Sequence, residues 1–162
     1  MSVFKTTFSR AIRVAPSLNC DIPSPNVIVS GISSSVGADR LIDNTVDFIT
    51  LNVKEGDIVY NTDNYSGATV IEVENANTLR LNADIFGSEG NYTVYQASSQ
   101  TGLGNQGCYL YIGTVEGASS IQVVTIGGDL VTFSSLIQGT VLPVQVIALL
   151  SVTSVDKVVA LW

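Results

Sequence analysis

The side chains able to do chemistry in this sequence are carboxylates and thiols, because it contains no histidine. Without one, a Ser-His-Asp triad, a histidine base or a histidine-ligated metal has no foundation. The closest carboxylate groupings are Asp39/Asp43/Asp47 and Asp57/Asp63. Two carboxylates flanking a bond are the minimum of a glycosidase, but solvated surface acids show the same spacing. With Asn44 and Asn61 these acids offer oxygen ligands for calcium, yet the twelve-residue calcium loop does not occur. No catalytic residue, no cofactor and no metal site is expected.

The two cysteines, Cys20 and Cys108, lie far apart and form no CxxC or other metal spacing. A disulfide needs a geometry that sequence does not contain, and the expected reading is two small buried thiols. Gly102–Gly107 matches G-x-G-x-x-G, but it leads into the strand-like Cys108–Ile112 rather than a helix. A phosphate held there would meet no helix N-terminus, so the stretch reads as a loop. Six tyrosines, Tyr60, Tyr65, Tyr92, Tyr95, Tyr109 and Tyr111, could build a carbohydrate platform or fill cores. Tyr109 and Tyr111, two apart, share one face of a strand.

The elements that must position these residues are strands. Hydrophobic residues make up 46% of the 162 and charged residues 13%, about half the usual charged share. Val, Ile, Ser, Thr, Asn and Gly fill the difference, which suits pleated surfaces and tight turns. In the middle, Asp57–Tyr60, Ala68–Val73, Thr78–Leu81 and Tyr92–Tyr95 read as short strands, with Phe48, Leu51 and Val53 as a bent lead-in. Further on, Cys108–Gly113, Ile121–Thr125, Leu130–Phe133, Val141–Ile147 and Lys157–Leu161 read as strands. Gly127–Asp129 suits a tight hairpin, and Pro143 places its run at an edge or a bulge. The expected fold class is all-β: a β-sandwich, jelly-roll-like, with an inserted small SH3-like β-barrel.

Charge divides the chain. Residues 31–99 hold ten acids and three bases, so the whole formal net charge of −7 falls there. Gly31–Gly37 and Ser98–Gly107 have linker composition. The expected domains are residues 1–30 plus 100–162 as an outer docking and oligomerisation sandwich, and residues 31–99 as an acidic module inserted in a surface loop. The acidic balance argues against nucleic acid and against anionic membranes as partners. The N-terminus lacks the apolar core of a signal peptide. The longest apolar run, Val141–Leu150, is too short to span a membrane.

Two stretches resemble known proteins. Arg10–Ser24 (RAIRVAPSLNCDIPS), with YLYIGT, VVTIGGDLVTF, GTVLPVQV and VDKVVALW, resembles small phage head spike-base proteins of the gene-transfer-agent type. Gly127, Gly128, Asp129, Thr132, Phe133, Gly139, Thr140, Leu142, Pro143 and Val146 carry that likeness. Asp47–Asn61, Ala68–Val70 and Thr78–Leu81 resemble a small β-module common in phage structural proteins. The insertion between the two conserved ends departs from the spike-base pattern. The resemblance implies a non-enzymatic virion protein on the outside of a phage head, made in the host cytoplasm, acting as capsid decoration or spike base. Its implied partners are itself, as a trimer or pentamer, the major capsid protein or another virion protein, and a fibre protein. A tail, baseplate or neck component is the first alternative, and a carbohydrate- or receptor-binding module the second. Subunit or capsid packing is expected of Phe133, Leu142, Pro143, Val144, Val146 and Trp162. The terminal Trp162 would anchor the chain end in its own core or against a neighbour.

Overall fold

A computed structural model describes residues 7–97 and 107–162. It is all-β, with antiparallel pairing throughout and no helix among the described residues. The G-x-G-x-x-G stretch and the Ser98–Gly107 linker lie outside the described residues, apart from Gly107.

The middle of the chain forms one sheet from β2 (Val27–Ile32), β3 (Ser35–Gly37), β4 (Arg40–Ile42), β5 (Ile58–Asn61), β6 (Ser66–Asn75), β7 (Thr78–Leu81) and β8 (Asn91–Tyr95). The strand order is β2-β8-β5-β6-β7-β4-β3. The outermost strands are joined only by Ser33 and Ser34, so the sheet curls until its two edges approach each other. The long β6 makes the bend: Ser66–Thr69 pair with β5, and from Val70 onward it pairs with β7 through two register shifts. Leu41, Phe48, Val59, Val70, Leu79, Phe86, Tyr92 and Val94 fill the interior of the curl. The expected strands of this region are present, and Phe48 and Val53 are buried in turns before β5. Gly31–Gly37, expected as a linker, is instead strand and turn. Its small residues let the chain pass between sheet edges. Four residues of β2 precede the charge boundary at residue 31.

The outer part is sandwich-like. One sheet holds β1 (Ala11–Arg13), β13 (Val159–Leu161) and β9 (Tyr109–Tyr111) in the order β1-β13-β9. The other holds β11 (Leu130–Ser134), β10 (Thr114–Thr125) and β12 (Val146–Asp156) in the order β11-β10-β12. Leu110, Ile112, Val158 and Ala160 of the first layer share a core with Ile121, Val123, Val146 and Leu149 of the second. The Gly127–Asp129 turn closes the β10–β11 hairpin, with Thr125 N–H donating to Asp129 O at 2.9 Å. Two expected strands have other limits. β10 begins at Thr114, and the strand expected over Val141–Ile147 begins at Val146 and runs on to Asp156. Before Val146 the chain still pairs with β9: Leu142 N–H bonds Leu110 O, and Cys108 and Val146 exchange both bonds. Four residue steps thus face two on β9, and Pro143, which has no N–H to give, sits in the resulting bulge.

Strand β5 joins the two parts because both its faces are buried. Ile58 and Tyr60 point into the outer core, while Val59 points into the curled sheet. Further ties reinforce the junction. The Asn19 carbonyl accepts from Thr69 Oγ1 at 2.8 Å and Asn82 Nδ2 at 2.7 Å, and the Arg13 guanidinium lies 4.2 Å from the centre of the Tyr65 ring.

Candidate interaction surface

Of the acids that could have done chemistry, Asp39 is exposed, while Asp43, Asp47, Asp57 and Asp63 hold turns and strands together. Asp43 is buried and accepts from Thr45 N–H (2.9 Å), Thr45 Oγ1 (2.6 Å), Ser34 Oγ (3.3 Å) and Tyr92 OH (2.7 Å). Burial alone would raise its pKa, but these hydrogen bonds favour the carboxylate and bring it below the ordinary value. Asp57 is buried and takes the N–H groups of Lys54 (2.8 Å) and Ala97 (2.9 Å). There burial wins and its pKa is raised. Asp47 caps the turn at Thr50, and Asp63 holds both the backbone and side-chain amides of Asn91. Each of these acids closes a turn or ties two strands. Among the described residues no three His, Cys, Asp or Glu side chains gather into a metal-binding group.

The thiols are equally inert. Cys108 is buried and Cys20 half-buried, and both are free. Burial pushes Cys20 up to about 11 and Cys108 up to about 12, so neither supplies thiolate near neutral pH. A cleft of about 410 Å³ runs beside Cys20, lined by Ser17–Ile22 with Gly56, Ile58, Thr69, Ala97, Ala148 and Leu150. Its titratable groups are that protonated thiol and Asp21, whose pKa burial raises.

The tyrosines do not form a platform. Tyr60 and Tyr92 are buried in different cores. Tyr95 meets Tyr60 edge-on at 5.6 Å, and Tyr65 is covered by Arg13. Tyr109 meets Phe8 at a tilt, ring centres 5.8 Å apart, leaving Tyr111 exposed on the shared face of β9.

Of the residues expected to pack, Leu142 and Val146 are in the outer core, and Phe133, Val144 and Trp162 lie half-buried against it. Pro143 is exposed. Trp162 is also tied by its backbone: its N–H donates to Arg10 O at 3.0 Å, and its carbonyl accepts from Ser9 N–H at 2.7 Å. The exposed large apolar residues of the outer part are others: Leu18, and further on Tyr111, Ile126, Leu130, Ile137 and Val141. The last four lie in a stretch of very low charge, since Asp129 is the one charged residue between Gly117 and Val155. That Asp is engaged in the hairpin turn with Thr125. The nearly charge-free run was a signal open to sequence reading. Which face of it meets water was not, because alternation does not say which side has a partner layer.

No protein-family model matches this chain, and no curated protein or solved structure matches it significantly.

Proposed function

We propose that this chain is a non-enzymatic structural protein of a phage-like particle, placed on the outside of the head as a decoration or spike-base subunit and working as a homo-oligomer. One observation carries the reading. The interior uses its reactive groups for packing and turn closure, while the stretch from Gly117 to Val155 of the outer sandwich, with Asp129 as its one charge, exposes Ile126, Leu130, Ile137 and Val141. Surfaces depleted of charge and carrying large apolar side chains favour burial against another protein. The acidic middle then faces solvent, and the neutral outer sandwich docks. A closed ring of three or five copies suits a position on a symmetry axis.

Light scattering after size exclusion tests the self-association, with a multimer of the 17.1 kDa chain expected. Copurification with assembled heads, rather than with tails, tests the location. A chain that stays monomeric at high concentration, or that purifies with tails, overturns the corresponding half of the reading.

A further inference from the structure

The β10–β11 hairpin fixes which backbone groups of β11 are spoken for. Thr125 N–H bonds Asp129 O, and beyond the far end of the strand Ser135 N–H bonds Ser119 O. Both pairs belong to one register, Val124 opposite Leu130 and Ser120 opposite Ser134. In an antiparallel ladder, hydrogen-bonded and non-hydrogen-bonded pairs alternate. Val131 and Phe133 therefore bond to β10, while Leu130, Thr132 and Ser134 turn their N–H and C=O groups away from it. Strand β11 ends the sheet, so among the described residues no strand pairs with these groups. The side chains of the same three residues are the exposed ones, Leu130 at 62%.

Natural edge strands are blunted by Lys, Pro, an inward charge, a bulge or a cover. Strand β11 has none of the first three in its sequence, and its pairing with β10 runs without a register shift. The other strand flanking β10 is treated differently. Part of the free side of β12 is covered, because Ser17 N–H bonds Leu149 O and Ile22 N–H bonds Ile147 O.

We propose that the outer edge of β11 pairs with the same edge of a second copy, antiparallel, across a two-fold axis at Thr132. This rests on the structural reading above and adds the contact. The parity of the strand suits a second copy as the partner. The central residue, Thr132, is one whose N–H and C=O point outward, so a dyad placed on it sets Thr132 opposite Thr132 and Leu130 opposite Ser134. Every outward N–H then meets an outward C=O, and two three-stranded sheets become one of six strands. The absence of charge on β11 removes the repulsion that a like-charged edge would meet at its own copy. An isologous contact of this kind joins copies in twos. Combined with rings of three or five, it links one ring to the next.

The test is the solution mass of the full chain and three variants, with circular dichroism as the fold control. The wild type is expected to hold an even number of copies. Thr132→Pro removes the central outward N–H without touching the β10 ladder, and is expected to halve the mass. The double variant Leu130→Lys/Ser134→Lys sets ammonium groups opposite each other across the axis and is expected to halve it too, which covers the case in which the proline variant fails to fold. The double variant Leu130→Lys/Ser134→Glu sets opposite charges there and is expected to keep the wild-type mass. An odd-numbered oligomer, or folded Thr132→Pro and Leu130→Lys/Ser134→Lys proteins of unchanged mass, overturns the edge pairing and leaves the structural reading standing. A monomeric wild type overturns both.

Discussion

The Tyr92 hydroxyl donates to Asp43 Oδ2 at 2.7 Å, tying β8 to the turn that follows β4 inside the curled sheet. Gly31 makes room for the bond. A Cβ there would stand 2.9 Å from both Asp43 Oδ2 and the Tyr92 oxygen. Burial raises the Tyr92 pKa and the bond to Asp43 raises it further, so the phenol stays a donor at any ordinary pH.

Removing that donor leaves the buried carboxylate one partner short. Tyr92→Phe is expected to cost about 1.5–3 kcal/mol, the range for a hydrogen bond to a charged group. The pH dependence has a definite sign. The folded-state pKa of Asp43 lies below its ordinary value of 3.8. Its contribution is therefore complete above 3.8 and is lost as pH falls through the folded value. Asp57 has the opposite sign. Its pKa is raised, so it imposes no penalty below 3.8 and an increasing one as pH rises through its folded value. Urea unfolding of wild type and Asp43→Asn across the acid range checks this. The variant should be less stable at neutral pH, and the gap should shrink below 3.8. A constant gap refutes the assignment.

The two thiols should be silent in the native protein. With Cys20 raised to about 11 and Cys108 to about 12 by burial, a disulfide-exchange reagent at pH 8 finds almost no thiolate. Neither thiol is expected to react within the time that a denatured sample needs to react at both. Intact mass should show no loss of two hydrogens, because both are free. Rapid native labelling of Cys20 would mean that the cleft beside it opens.

Much of the curled sheet was legible because its strands carry their own signals. Thr78–Leu81 begins and ends where alternation and the Asn75–Asn77 turn place it. Gly127–Asp129 is a hairpin turn because glycine takes the positive φ of Gly128, 88°, without strain. What was missed had either too little length or the wrong texture. Ser35–Gly37 and Arg40–Ile42 are three-residue strands, and a stretch rich in Ser and Gly looks the same as a linker. Ser151–Asp156 continues β12 with hydroxyl side chains that half face water, so no apolar run marked it. The acids Asp43 and Asp57 read as a possible site, since spacing cannot distinguish a solvated carboxylate from one that has collected backbone N–H groups.

Tyr60 packs a strand of the middle module into the outer core, so the two parts are expected to unfold together. It extends from β5 into the outer core, meets Tyr95 edge-on, and its neighbour Val59 packs the other way. Gly67 lies against it so closely that a Cβ would stand 2.6 Å from its ring. Tyr60→Ala is expected to cost about 3–5 kcal/mol, the range for truncating a buried aromatic. Fluorescence and circular dichroism should report one coincident transition in both wild type and variant. Two separated transitions in the wild type would show that β5 does not couple the two parts.

Phe133 and Leu130 lie on the same strand and should respond in opposite ways to the same change. Phe133 sits opposite Ile121 and packs half-buried against the outer core, whereas Leu130 turns its side chain to solvent. Phe133→Asp removes an aromatic from that core and leaves a carboxylate there without a partner, so a loss of about 3 kcal/mol or more is expected. The consequence is failure to fold or to enter particles. Leu130→Asp leaves the core intact, and its stability should stay within about 0.5 kcal/mol of wild type. If β11 is a contact edge, that variant folds, and adding Ser134→Asp, which sets two carboxylates opposite each other across the axis, stops it from pairing. Thermal melts of the two variants beside their solution masses separate packing from contact. A folded, normally assembling Phe133→Asp protein would show that the inner face of β11 is not part of the core, and the register argument for its outer edge would fall with it.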